Sequence, residues 1–150
     1  MYISQILTPN RTFANLHCLS KKRCLEQISE LIAEPFDHLD GQALFTALLN
    51  REKLGSTGLG HGIAIPHCRL AEFSQMVGAL FRLDQAIDYD AIDKNRVDLL
   101  FVLLVPNNTT NEHLQILSKL AANFSHPDYR QSLRDAEDSR QLYHAALARM

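Results

Sequence analysis

Three side chains in the sequence are of types that take part in phosphoryl chemistry, and each breaks an apolar pattern. Arg51 follows Leu48 by three residues, so it continues the apolar stripe of a predicted helix. His113 begins a second such stripe, and His67 follows Pro66 at the end of a short apolar segment. A neutral imidazole nitrogen can attack phosphorus, and an arginine can stabilise the charge that spreads over the transferring group. Together the three residues favour phosphoryl transfer.

Each of the three also has a structural interpretation. Arg51 would be favourably placed as a cation at a helix C-terminus, where it contributes about 0.3–1 kcal/mol. His113 would fit a core position with its ring nitrogens satisfied, and a lone histidine such as His67 is commonly structural. The occurrence of all three residues in one chain, rather than any one of them alone, indicates a functional role.

A glycine-rich segment precedes His67. Four of the six glycines lie in it, at Gly55, Gly58, Gly60 and Gly62. Such density lets backbone N–H groups approach an anion closely. The segment is not a Walker A loop, because no lysine followed by serine or threonine stands at the required place, and its spacing does not give GxGxxG. It either binds an anion or forms a tight connection between a helix and a strand.

Length and composition describe one ordinary globular domain over residues 1–150, 46% hydrophobic and 21% charged. The 15 basic and 17 acidic side chains give a formal charge of −2, which excludes the basic excess of a nucleic-acid-binding protein. No export signal is recognised, and no window approaches the roughly 20 apolar residues of a membrane span. We therefore expect a cytoplasmic protein without membrane insertion. Three cysteines without CxxC spacing predict neither a disulfide framework nor a zinc site.

Helical and strand-like patterns alternate along the chain, which predicts an α/β domain whose helices cover a mixed sheet. Strands are predicted over residues 12–16, 76–83 and 97–105, the last buried on both faces, and residues 63–65 form a short apolar segment. Helices are predicted from Ser20 to before Pro35, from Asp40 to Gly55, from a Thr109–Glu112 capping box to Phe124, from Pro127, and from Ser139 to about Arg149.

Residues 51–67, REKLGSTGLGHGIAIPH, resemble the active-site signature of the mannitol/fructose-type IIA components of the bacterial phosphoenolpyruvate phosphotransferase system. Within that family they are most similar to the nitrogen-regulatory members. The similarity continues through residues 20–23, 91–93, 97–101, 103–106 and 113–114, so it spans about residues 3–145. It implies a compact single-domain sandwich in which helices flank a mixed parallel and antiparallel sheet.

The resemblance also implies roles for individual residues. His67 matches the phosphoryl-accepting histidine, Arg51 the active-site arginine, and His113 the second histidine, which contacts the phosphoryl group. A phosphate-binding set is implied in the glycine-rich segment, consisting of Ser56, Thr57 and Gly58. No cofactor and no metal are expected. Such a protein carries a phosphohistidine intermediate and is not a free-standing enzyme in the usual sense.

The implied donor is an HPr-like phosphocarrier of the nitrogen branch, charged from phosphoenolpyruvate by an enzyme I. The implied function is regulation of partners according to phosphorylation state, with potassium transport, sensor kinases and metabolic enzymes as target classes. A phosphoryl group adds about −1.5 to −2 charge, which is enough to change how a docking face binds. One alternative is a sugar-specific IIA component that passes phosphate to a separate IIB protein. Another is a binding module that is never phosphorylated.

Two residues depart from the family pattern. Cys68 stands where a glycine usually follows the phosphohistidine, so it is either a tolerated small residue or an oxidation-sensitive thiol whose pKa His67 lowers. His61 stands where a polar asparagine is usual. A metal site formed by His61, His67 and Cys68 ranks last among the alternatives, because two histidines without further ligands are weak evidence for a metal.

Overall fold

Helices and strands alternate in the part of the chain that the computed structural model describes, residues 2–109 and 111–148. The α-helices are α1 (Lys21–Ala33), α2 (Gly41–Lys53), α3 (Glu112–Phe124), α4 (Pro127–Asp135) and α5 (Ser139–Leu147). The β-strands are β1 (Thr12–Leu16), β2 (Gly58–Gly60), β3 (Ile63–Ala64), β4 (His67–Leu70), β5 (Val77–Ile87) and β6 (Val97–Pro106). Two short 3-10 helices, Ile3–Gln5 and Pro9–Arg11, precede β1.

The strands form one mixed sheet in the order β1-β5-β6-β3-β2, and β4 also pairs with β6. β1 runs parallel to β5, and both β3 and β4 run parallel to β6. The β5–β6 and β2–β3 pairs are antiparallel. β3 and β4 therefore follow one another along the side of β6 that β5 leaves open. Between them the carbonyl of Pro66 accepts a hydrogen bond from the Leu103 N–H at 2.9 Å, which ties the start of β4 to the sheet.

Two apolar cores lie on opposite faces of this sheet. One packs the sheet against α1 and α2, and the other packs it against α3, α4 and α5. β6 contributes to both, because Val102 and Leu104 enter the first core while Leu103 and Val105 enter the second. This confirms the prediction of a strand buried on both faces, and the mixed sheet with helices on either side confirms the predicted fold class.

The predicted helix starts at Ser20 and Asp40 are confirmed. The Ser20 hydroxyl accepts a hydrogen bond from the Arg23 N–H at 3.2 Å, and the Asp40 carboxylate accepts one from the Gln42 N–H at 3.4 Å. These caps satisfy N–H groups that have no partner within the helix. No helix of the described ranges is long and apolar enough to cross a membrane.

The predicted capping box is wrong, because α3 begins at Glu112 with Asn111 as its N-cap rather than Thr109. Thr109 instead closes a turn in which its N–H donates to the Pro106 carbonyl at 3.2 Å. The strand predicted to end at residue 83 continues to residue 87, and strands β2, β3 and β4 carry no periodicity long enough to predict them. The predicted end of the last helix at Arg149 lies outside the described residues.

Gly62 lies in the turn between β2 and β3, where the surrounding atoms leave little space for a side chain. Its φ of +82° disfavours any side chain, and an added Cβ would lie 2.5 Å from Nη2 of Arg134 and 2.9 Å from Oδ1 of Asp98. We expect Gly62→Ala to lower the free energy of unfolding by about 1–3 kcal/mol, measured by denaturant titration. Gly41→Ala is the control, because its Cβ meets only the flexible end of Glu30. Equal effects of the two substitutions would contradict the expectation.

Candidate functional site

His67, the first residue of β4, is held by both of its ring nitrogens. Nδ1 lies 2.8 Å from the backbone carbonyl oxygen of Ile65, and Nε2 lies 3.3 Å from Nε of Arg51. A carbonyl oxygen can only accept and a guanidinium can only donate. Nδ1 must therefore carry the proton, and Nε2 presents its lone pair towards Arg51. The geometry selects one tautomer of the ring and leaves Nε2 as the nitrogen with a lone pair.

The surroundings of His67 favour its uncharged form. Burial lowers the pKa of His67 below its ordinary value, and the positive charge of Arg51 and the neighbouring His113 lower it further. The hydrogen bond to the Ile65 carbonyl and the negative charge of Glu52 act in the opposite direction, but they do not outweigh burial. Near neutral pH the ring is therefore a neutral imidazole, with a proton on Nδ1 and a lone pair on Nε2, which is the form that can attack an electrophile.

Arg51 stands in the last turn of α2 and bridges the glycine-rich segment to His67. Its Nη1 donates to the carbonyl of Gly55 at 2.8 Å, while its Nε faces His67. These bonds use two of the five N–H donors of a guanidinium. Arg51 was predicted to lie on the apolar stripe of α2 rather than on its solvent-exposed face, and this position brings its positive charge beside Nε2 of His67.

An open cleft of about 430 Å³ contains these groups. Its walls come from α2, β4, the end of β6 and α3, and are formed by Ala47, Asn50, Arg51, Leu54, His67, Cys68, Arg69, Val105, His113, Leu114 and Leu117. Among these described residues there are two guanidinium groups, two imidazoles and no carboxylate. The cleft is therefore suited to an anion, and exposed Leu54 and Leu114 give its rim an apolar character.

His113, in the first turn of α3, contacts Arg69 of β4. Nη2 of Arg69 lies 3.4 Å and 3.3 Å from the two ring nitrogens of His113, and Nη1 of Arg69 donates to the carbonyl of Asn107 at 3.2 Å and to that of Thr109. The sequence did not indicate Arg69. A signal existed, since residues two apart in a strand share a face and Arg69 follows His67 by two, but β4 itself was not predicted.

The predicted phosphate-binding set does not line the cleft. The Ser56 hydroxyl donates to the carbonyl of Tyr89 and accepts from the Gly58 N–H, each at 3.1 Å. The Thr57 hydroxyl and N–H both donate to the carboxylate of Glu52, the latter at 3.0 Å. Contact of Ser56, Thr57 and Gly58 with a phosphoryl group stays a prediction. In the structure their hydrogen bonds to Glu52, to Tyr89 and to one another fix the conformation of the glycine-rich segment.

The thiol of Cys68 is not activated by its neighbour. Burial, with a smaller effect of Glu72, raises the pKa of Cys68 to about 12, so the hypothesis of a thiol made acidic by His67 is wrong. His61 lies in the turn after β2, where its N–H donates to Asp93 at 2.9 Å, and it does not line the cleft. Within the described residues no group of three or more histidine, cysteine, aspartate or glutamate side chains could hold a metal ion.

Comparison with known proteins shows to which family the chain belongs. A family model described as "Phosphoenolpyruvate-dependent sugar phosphotransferase system, EIIA 2" matches residues 5–148. The chain belongs to this family. It is 50% identical over 141 residues to a nitrogen regulatory protein from Pseudomonas aeruginosa, covering 94% of this chain and 92% of that protein. A fructose-specific EIIA component from Haloferax volcanii is 38% identical over 129 residues, covering 86% and 83%.

Among solved structures, the nitrogen regulatory protein IIA-Ntr from Neisseria meningitidis matches with a TM-score of 0.89 and 41% identity, covering 96% of this chain and 98% of that one. Proteins of this family accept a phosphoryl group from phosphocarriers and pass it on. A phosphocarrier-type regulatory protein of the phosphotransferase system fits these relatives better than the alternatives of a sugar-specific component or an unphosphorylated module.

The lowered pKa of His67 predicts how stability depends on pH. The unfolded chain takes up this proton more readily than the folded chain, so the contribution of His67 is present above the unfolded pKa and is lost as pH falls below it. We expect the free energy of unfolding of the wild type to fall more steeply between pH 7 and pH 5 than that of His67→Gln. Denaturant titrations across this range measure the difference, and parallel curves for the two proteins would contradict it.

Proposed function

We propose that Nε2 of His67 accepts a phosphoryl group from an HPr-like phosphocarrier and that partners of the protein distinguish its phosphorylated from its bare form. The observation that supports this most directly is the pairing of the two ring nitrogens, with Nδ1 on the Ile65 carbonyl and Nε2 beside Arg51. Those two contacts support the proposal, because they favour one tautomer of the ring, leave a lone pair on Nε2 and place the Arg51 guanidinium beside it.

The transfer exchanges one phosphorus–nitrogen bond for another. The lone pair of His67 Nε2 attacks phosphorus, and the bond to the donor's nitrogen breaks with its electron pair going to the donor. The proton on Nδ1 stays in place, and the Ile65 carbonyl stabilises the positive charge that develops on the ring. The Nε–H of Arg51, which faces Nε2 beforehand, then lies within reach of a phosphoryl oxygen.

The second side of the cleft offers further stabilisation of the phosphoryl oxygens. His113 and Arg69 lie among the residues that line the cleft with His67, so both belong to the same anion-accepting surface. We assign His113 the role of contacting the bound phosphoryl group and Arg69 that of fixing the His113 ring, through the two contacts between them.

Phosphorylation would place about −1.5 to −2 charge in a cleft whose ionisable groups are cationic or neutral. A partner that docks over the exposed Leu54 and Leu114 would meet opposite electrostatics in the two states. The proposed partners are regulatory targets in potassium transport, sensor kinases or metabolic enzymes of the nitrogen branch, and the proposed location is the cytoplasm.

Incubation with enzyme I, an HPr-like carrier and phosphoenolpyruvate tests the proposal. We expect mass spectrometry to detect acid-labile, base-stable phosphate on the wild type and none on His67→Ala. His113→Ala should still be labelled but transfer more slowly. Arg51→Ala should lose about 2.7–4 kcal/mol of transition-state stabilisation, as typically follows removal of one preorganised donor.

Matched controls are available at exposed positions. His126→Ala and Arg140→Ala make the same substitutions at the start of α4 and in α5, outside the cleft, and should leave labelling unchanged. A wild type that never labels would refute the phosphocarrier proposal and favour the binding module. Efficient transfer to a IIB protein would instead favour the sugar-specific alternative, which the resemblance to the Haloferax volcanii component also supports.

A further inference from the structure

The carboxylate of Glu52, the residue after Arg51, is buried, with only 3% of its side chain exposed. Its oxygens accept hydrogen bonds from the Thr57 N–H at 3.0 Å, from the Thr57 hydroxyl and from the Tyr89 hydroxyl at 3.1 Å. Nζ of Lys21 forms an ion pair with it at 3.0 Å. A buried carboxylate is costly unless its lone pairs are satisfied, and here four donors satisfy them.

The donors around Glu52 are themselves held in place. Nζ of Lys21 lies 4.5 Å from the centre of the Tyr89 ring, where a cation is attracted to the aromatic face. Burial and the nearby charge of Glu52 raise the pKa of Tyr89, so its hydroxyl remains a donor. The cluster of Lys21, Glu52, Thr57 and Tyr89, here called the Glu52 cluster, thus joins the start of α1, the end of α2, the glycine-rich segment and the chain after β5.

One chain of hydrogen bonds leads from the Glu52 cluster to Nδ1 of His67. Glu52 fixes Thr57 through its N–H and hydroxyl, and the carbonyl of Thr57 accepts from the Ile65 N–H at 3.1 Å. The carbonyl of the same Ile65 accepts the proton of His67 Nδ1 at 2.8 Å. The group that selects the ring tautomer is therefore positioned by Thr57, and Thr57 by Glu52.

A second chain leads to Nε2 of the same ring. The backbone carbonyl of Glu52 accepts from the Gly55 N–H at 3.1 Å, and the carbonyl of Gly55 accepts from Nη1 of Arg51 at 2.8 Å. Arg51 in turn places its Nε 3.3 Å from Nε2 of His67. Fixing the segment through Glu52 and Thr57 also fixes the carbonyl that holds the Arg51 guanidinium.

We propose that Glu52 is a positioning residue for the phosphoryl site and that Thr57 acts through Glu52 rather than on the phosphoryl group. The inference rests on the proposed function and assigns the glycine-rich segment a specific part in it. Neither side chain touches the reacting atoms. Together they fix the glycine-rich segment, and through it the Ile65 carbonyl that holds Nδ1 and the Gly55 carbonyl that holds Arg51. A misplacement of about 1 Å at such a site can cost about 100-fold in rate.

A double-mutant cycle separates this role from direct phosphate contact. We expect Glu52→Gln and Thr57→Val each to slow phosphorylation by the HPr-like carrier about 10- to 100-fold. If Thr57 acts through Glu52, the double variant is no slower than the slower single variant. If Thr57 binds the phosphoryl group itself, the two losses multiply, and that result would overturn the proposal.

A measurement without phosphate keeps the inference distinct from the proposed function. In ¹⁵N spectra of the unphosphorylated protein, the His67 ring of Glu52→Gln and Thr57→Val should show a mixture of tautomers where the wild type shows one. Its pKa should also fall in Glu52→Gln, because the carboxylate raises it against Arg51 and His113. An unchanged tautomer and pKa in folded variants would refute the positioning role even if the wild type is never labelled.

Controls address folding and charge. Glu26→Gln removes a carboxylate from an ion pair with Arg23 on the exposed face of α1, and should change neither rate nor ring spectrum. Lys21→Arg keeps the positive charge beside Glu52 and should retain more activity than Lys21→Met. If Glu52→Gln does not fold, Tyr89→Phe removes a single donor from the same carboxylate, and an unaltered rate and ring spectrum in that variant would count against the proposal.

Discussion

The hydrogen bond between Nδ1 of His67 and the carbonyl of Ile65 is the constraint on which the site depends. A histidine ring has two tautomers of similar energy, and only the one protonated on Nδ1 leaves Nε2 free to react. The contact is backbone-derived, so it is set by the path of the chain from β3 through Pro66 into β4. The sheet maintains that path, since the Pro66 carbonyl is tied to Leu103 in β6. The path of the backbone thus determines which ring nitrogen carries the proton and which keeps its lone pair.

The parts of the site that the sequence predicted are those in which a polar residue interrupts a long apolar pattern. Arg51 continues the apolar stripe of α2 and His113 begins that of α3. Both helices form where the apolar periodicity predicts them, so both residues reach the cleft. β6 was predictable for a different reason, since its run of apolar residues is too dense for a strand that is buried on only one face. Long, regular elements leave a signal that a single sequence is enough to detect.

The residues that the sequence analysis did not recognise either lie in short elements or depend on partners that are distant in sequence. β4 has four residues and no measurable period, so Arg69 was not recognised as sharing a face with His67. Glu52 follows Leu48 by four residues and so belongs to the buried stripe of α2 as much as Arg51 does, but only the fold brings Lys21 and Tyr89 to its carboxylate. The Thr109 capping box failed because a competing turn onto Pro106 uses that residue. Local patterns predict which residues are unusual, and tertiary contacts decide what they do.

The most direct test of the central claim is the ³¹P–¹⁵N coupling in the phosphorylated, ¹⁵N-labelled protein. The structure predicts that the phosphorus couples to Nε2 of His67 while Nδ1 keeps its proton and its hydrogen bond to Ile65. Coupling of the phosphorus to Nδ1, or to a ring of another histidine, would contradict the account.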